Sequence, residues 1–125
     1  MKKVISVIFL VLIIIILSVG CSSTNINGET HRSFEKKRTD SSVHKIQIDK
    51  NIKYIKFDLQ AKIDEGIFKV IIEDPSNKEY LSKKIGMDEK LNEDFKIQRP
   101  KKGDWKITLI LDKAIGEYRC SWKAQ

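Results

Sequence analysis

This sequence is poor in the residues that do chemistry. It has two histidines, two cysteines and two prolines in 125 residues, and 8% aromatics. His31 lies in a polar stretch and His44 opens an alternating segment, so no Ser–His–acid set has a second anchored member. Two histidines and a spare cysteine make a poor zinc site. Asp64, Glu65, Asp74, Asp104 and Asp112 fall singly in turns, where acids act as caps and solubilisers. A calcium site at one sandwich end is the alternative, but calcium needs six or more oxygens. No glycine-rich phosphate loop is present. The expectation is a chain with no catalytic residues, no metal site and no cofactor, and not an enzyme.

One long apolar run is present, at the start. Lys2 and Lys3 precede Val4 to Gly20, which carries no charge and is almost wholly aliphatic. The run ends Leu17-Ser18-Val19-Gly20-Cys21. A charged start, an apolar middle and a small-residue cleavage point form an export signal. The cysteine after the glycine resembles the lipobox of bacterial lipoproteins, although Ser18 stands where leucine is usual and Leu17 sits one position earlier. The resemblance implies cleavage before Cys21 and a diacylglyceryl group on its sulfur. The expected localisation is the extracytoplasmic face of the cell membrane, lipid-anchored. The alternatives are an uncleaved transmembrane helix, for which Val4 to Gly20 is at the short limit, and plain secretion.

The expected organisation is a signal peptide over 1–20, a lipidated N-terminus with a disordered tether over 21–42, and one small domain over 43–125. The tether assignment rests on composition. Between residues 22 and 42 only Ile26 and Phe34 are large and apolar, too little to offset the entropy of ordering. The whole chain carries a net charge of +7. Without Lys2 and Lys3 the mature chain keeps +5. Outside the membrane the counter-charges are anionic headgroups and wall polymers, with no nucleic acid. Solubility alone is the plainer explanation of this charge. Lys36-Lys37-Arg38 in the tether is a candidate headgroup contact.

From Val43 onward the apolar residues recur every second position. Ile46 and Ile48 alternate with polar neighbours. Ile55, Phe57, Leu59, Ala61 and Ile63 share one face of the clearest strand. Asp64-Glu65-Gly66 reads as a hairpin turn with Gly66 at positive φ. Phe68, Val70 and Ile72 then point inward. Asp74-Pro75-Ser76-Asn77 is the strongest turn. Glu79 to Ile85 is a weaker strand, Gly86 to Asn92 a loop, and Phe95 and Ile97 a short strand. Trp105, Ile107, Leu109 and Leu111 form another, and Lys113 to Gly116 turns the chain back into Tyr118, Cys120 and Trp122. About seven short strands and no long helix predict an all-β fold, a small antiparallel β-sandwich.

The stretch Pro100-Lys101-Lys102-Gly103-Asp104-Trp105, with Gly116-Glu117-Tyr118, is similar to the ending of small bacterial β-sandwich modules. Pre-peptidase C-terminal domains and accessory jelly-roll domains share it. Ile71-Ile72-Glu73-Asp74-Pro75-Ser76-Asn77 resembles their Asp-Pro turn, with Asn77 where glycine is usual. The resemblance implies a sandwich and no particular activity. Trp105, Tyr118 and Trp122 are in phase with apolar neighbours and read as core. Tyr54, Lys56 and Tyr80 are the candidate ligand-facing surface. Cys120 shares the apolar parity and reads as a buried, inert thiol; pairing between chains is the alternative.

The functional expectation is a membrane-anchored, non-catalytic binding or accessory module whose partner is a protein or an anionic wall polymer. The alternative is an immunity-type lipoprotein that blocks an exported toxin or hydrolase.

Overall fold

The computed structural model describes residues 26–125. The signal, Cys21 and the cleavage point lie outside the described residues. Five strands follow in order: β1 (Ile26–Ile48), β2 (Tyr54–Glu73), β3 (Glu79–Ile85), β4 (Glu89–Gln98) and β5 (Gly103–Ala124). All pairings are antiparallel, and there is no helix among the described residues. The expected all-β sandwich is what the chain forms.

Three strands are too long to belong to one layer. β1, β2 and β5 are 23, 20 and 22 residues long, several times the usual strand. Each bends midway. Register shifts fall between Phe34 and Asp40 in β1 and between Ile63 and Ile67 in β2. Opposite them in β5, Lys113 and Gly116 have φ of 47° and 150°. Beyond these corners the pairing continues on the other side of the core. In layer A, residues 26–34, 116–124, 54–63 and β4 lie side by side. In layer B, residues 38–48, 103–114, 67–73 and β3 do so.

Two expectations are corrected here. Asp64-Glu65-Gly66 and Lys113 to Gly116 are corners and not reversals. Gly66 does take positive φ, 78°, but that φ serves a bulge, which bends a strand without turning it back. The predicted strands on either side are halves of one strand. The predicted Gly86–Asn92 loop is shorter in fact, since β4 begins at Glu89. Asn77 has φ of 65°, the left-handed conformation expected of it.

A third correction concerns the tether. Residues 26–42 are not a free segment: they are paired to β5 from Ile26↔Ala124 to Ser42↔Leu109. Their composition is polar because β1 is an edge strand of both layers. Its inner face looks into the lateral opening of the sandwich, where polar groups reach water. Arg32 in layer A bonds Asp40 in layer B at 3.0 Å across that opening. Lys83 of β3 faces Glu93 of β4 at 3.5 Å across the other. Charged side chains turned inward also discourage pairing with a further chain.

The core lies between the layers. It contains Ile55, Phe57, Leu59 and Ile63 from layer A, and Val70, Ile72, Trp105, Ile107 and Leu109 from layer B. Trp105 is fully buried, and its indole N–H donates to the Lys101 carbonyl at 2.8 Å. Trp122 packs against the same cluster from layer A, beside Phe57 in the β2–β5 register. Contacts between layers include Phe68 stacked on Tyr118 at 5.3 Å and His44 tilted against Trp122 at 5.7 Å.

Candidate functional site

Alternation sends every second residue of layer A to its outer face, and register sorts these residues into rows across four strands. From the open end toward the corners the rows are Asn27-Lys123-Lys56-Lys96, then Glu29-Ser121-Asp58-Asp94. His31-Arg119-Gln60-Asn92 follows, then Ser33-Glu117-Lys62-Lys90. Like charges stand directly opposite one another at Lys123–Lys56–Lys96, Asp58–Asp94 and Lys62–Lys90. Such pairs are unfavourable unless something of opposite charge lies near. Few internal bonds offset them. Arg119 pairs with Glu29 at 3.3 Å, with both side chains more than half exposed.

The last two rows border an open recess of about 500 Å³. Its polar lining is His31, Gln60, Lys62, Lys90, Asn92, Glu117 and Arg119. Four of these are planar hydrogen-bonding groups aligned across the sheet, and the cations outnumber the single Glu117. The arrangement suits an elongated ligand with oxygen acceptors and negative charge. It lacks a nucleophile paired with a base.

Of the predicted surface residues, Tyr54 and Lys56 do lie on this outer face, at its open end. Tyr54 is half-buried: its hydroxyl donates to Gln125 Oε1, and Lys96 Nζ sits 4.3 Å from its ring centre. Lys56 is exposed. Tyr80 is not with them. It lies on β3 in layer B, its ring 5.0 Å from Trp105, and is 41% exposed. The three residues therefore form no single surface. His31, Lys90, Asn92 and Arg119 escaped sequence reasoning for a definite reason. His31 looked like tether, and Lys90 and Asn92 looked like loop. Rows across strands depend on register, which alternation within one strand does not reveal.

The remaining candidates for chemistry stay apart. His31 is on the outer face of layer A and His44 on the inner side of layer B. Asp64, Glu65 and Asp112 lie at the corner end, whereas Asp74 and Asp104 lie at the open end. No group of three metal-ligating side chains occurs among the described residues. Asp74 is fully shielded from solvent. Its Oδ1 accepts from Ser76 N, Ser76 Oγ and Lys78 N at 2.7–2.9 Å, and Lys101 Nζ is 3.9 Å from Oδ2. Burial pushes its pKa up, but these bonds and the lysine outweigh burial and hold it below 3.8. Cys120 is buried and unpaired, and burial, aided by the charge of Asp58, pushes its thiol up to about 12. That matches the expected inert thiol.

No protein-family model matches the chain, and no curated protein matches it in sequence. Several solved structures are similar in shape. The carbohydrate-binding module TmCBM61, solved with β-1,4-galactotriose, shares 12% identity over 76% of this chain and 68% of its own, with a TM-score of 0.48. A CBM4 structure shares 14% over 78% and 72%, with a TM-score of 0.44. A Bacillus endospore appendage protein shares 11% over 82% and 93%, with a TM-score of 0.44. Their roles differ, and at this level of similarity none is carried over; the fold rests on the chain's own strand pairing.

Proposed function

We propose that this protein is a non-catalytic binding module, held at the extracytoplasmic face of the membrane through lipid on Cys21. We propose further that it binds an anionic wall polymer across the outer face of layer A. The observation that carries the ligand class is the Lys62–Lys90 pair. Two ammonium groups stand opposite each other at a recess that also holds Arg119 and a single carboxylate, Glu117, across from Lys62, so positive charge is in excess there. A phosphate or carboxylate between them removes their repulsion, and the polymer's hydroxyls meet His31, Gln60 and Asn92. The lipobox supports the anchor.

Titration with a purified polyol-phosphate wall polymer tests the ligand. Lys62→Glu with Lys90→Glu should weaken binding at least tenfold, and Tyr80→Ala should leave it unchanged. Equal binding by all three proteins refutes the site. The immunity-type alternative draws on a different surface. Val43, 55% exposed, begins a row with Thr108, Ile71 and Ser82 on the outer face of layer B. Loss of a protein partner on Val43→Asp, with polymer binding absent, would favour that alternative.

A further inference from the structure

The two ends of the sandwich carry different charge. At the open end the connections are 49–53, 74–78 and 98–102. They hold six cations, Lys50, Lys53, Lys78, Arg99, Lys101 and Lys102, against two carboxylates. Both carboxylates are engaged in turns: Asp49 accepts from Asn51 N, and Asp74 is buried. The connections at the corner end, 35–39, 64–66, 86–88 and 112–115, hold four cations against five carboxylates.

The basic end is a fixed platform. Arg99 N donates to Lys53 O at 2.8 Å, and Tyr54 and Gln125 exchange backbone bonds of 3.0 and 3.1 Å. Lys101 Nζ reaches Ser76 Oγ at 3.3 Å, and a Cβ on Gly103 would press on Pro75 at 2.9 Å. Between two of the connections is a recess lined by Lys50, Asn51, Ile52, Lys53, Gln98, Arg99 and Pro100. Three of its residues are cations and none is an acid. A phosphate group fits that charge.

The chain leaves the described structure at this same end. Ile26 pairs with Ala124, in the row of Ile55 and Ile97. Five residue steps separate Cys21 from Ile26, a span of at most about 18 Å whatever their path. Lys36-Lys37-Arg38, the candidate headgroup contact, are instead at the far corner. They lie ten to twelve residues along β1 from Ile26, and the first eight of those steps, to Phe34, already span roughly 26 Å.

From the short link and the one-ended charge we infer that the open end is a docking face for anionic phospholipid headgroups, with Lys50, Lys53 and Arg99 taking the headgroup phosphate. This rests on the proposed anchor at Cys21. With the lipid seated in the bilayer, Ile26, where the chain enters this end, lies within about two screening lengths of Cys21. The outer face of layer A then stands roughly perpendicular to the membrane, open to the wall.

The test uses the full protein as isolated from membranes, reconstituted in vesicles. One set is phosphatidylcholine alone, and the other contains one third phosphatidylglycerol. Amide exchange in 50–53 and 98–102 should slow tenfold or more in the anionic vesicles only, with 35–39 and 112–115 unchanged. Lys50→Glu/Lys53→Glu/Arg99→Glu should abolish the slowing without lowering the melting point. Lys36→Glu/Lys37→Glu/Arg38→Glu, an equal change in net charge, should keep it. Equal exchange in both vesicles, or equal loss in both variants, overturns the inference. Intact mass judges the anchor separately: a mature chain without diacylglyceryl on Cys21 refutes the anchor, while the exchange pattern still judges the face.

Discussion

Gly28 is the position at which a paired β1 and a loose tether predict different outcomes. A Cβ built on Gly28 falls on the indole of Trp122, touching Cζ2, Cε2 and Nε1. All three contacts lie under 3.0 Å, closer than real side chains approach. The glycine is therefore not there for its backbone freedom; it makes room for the ring. Gly28→Ala forces the indole or the strand aside, an overpacking cost of about 1–3 kcal/mol. For a domain near 100 residues that lowers the melting point by roughly 5–20 °C. In a flexible tether the same substitution would be neutral. In an unstrained strand it would stabilise by about 0.4–1 kcal/mol, by restricting the unfolded chain. Thermal unfolding followed by circular dichroism distinguishes these outcomes. Asn27→Ala, on the outer face one residue away, is the control and should shift the midpoint little. Trp122→Phe in the Gly28→Ala background should recover part of the loss, because the two residues share one space. A Gly28→Ala protein as stable as the parent would refute the pairing of β1 with β5.

Two further outcomes concern titration and reactivity. The Asp74 pKa is depressed in the folded state, so its contribution to stability is complete above the unfolded value near 3.8 and is lost as pH falls through the folded value. Asp74→Asn should therefore lower the melting point at pH 7 and flatten its decline below pH 4; an unchanged decline would show that another group is responsible. Cys120, raised to about 12, should resist a water-soluble thiol reagent at pH 8 until denaturant is added, and prompt labelling of the folded protein would contradict its burial.

Much of the fold was legible because burial here follows strict alternation. Every predicted inward residue of β2, from Ile55 to Ile72, is buried. Trp105, Tyr118 and Cys120 are buried on the same logic. What alternation could not show was continuity. A glycine with neighbouring acids reads alike whether the chain reverses or merely bends, so three bent strands appeared as separate pieces. Composition misled at β1, because the test for disorder assumes that a segment must bury its own apolar surface. An edge strand needs only a partner's backbone, room such as Gly28 leaves, and polar groups facing the lateral opening. The candidate site was legible in half. Gln60 and Lys62 alternate with the apolar face of Ile55 to Ile63 and so fall on the polar side of that strand, but the residues flanking them arrive from β1, β4 and β5 through register alone.

The pairing of β1 with β5 sets the order in which the protein can be made. The strand that emerges first from a ribosome or an export channel has no partner until the strand that emerges last. β5 also lies between β1 and β2 in both layers, so no stable subset precedes it. Closure must join the first and last strands of the described fold, contacts of high sequence separation that slow folding. Until then the chain stays thin enough to thread and open to proteases. Loss of even the final few residues would remove the Ala124 and Gln125 bonds that fasten the end at which β1 begins.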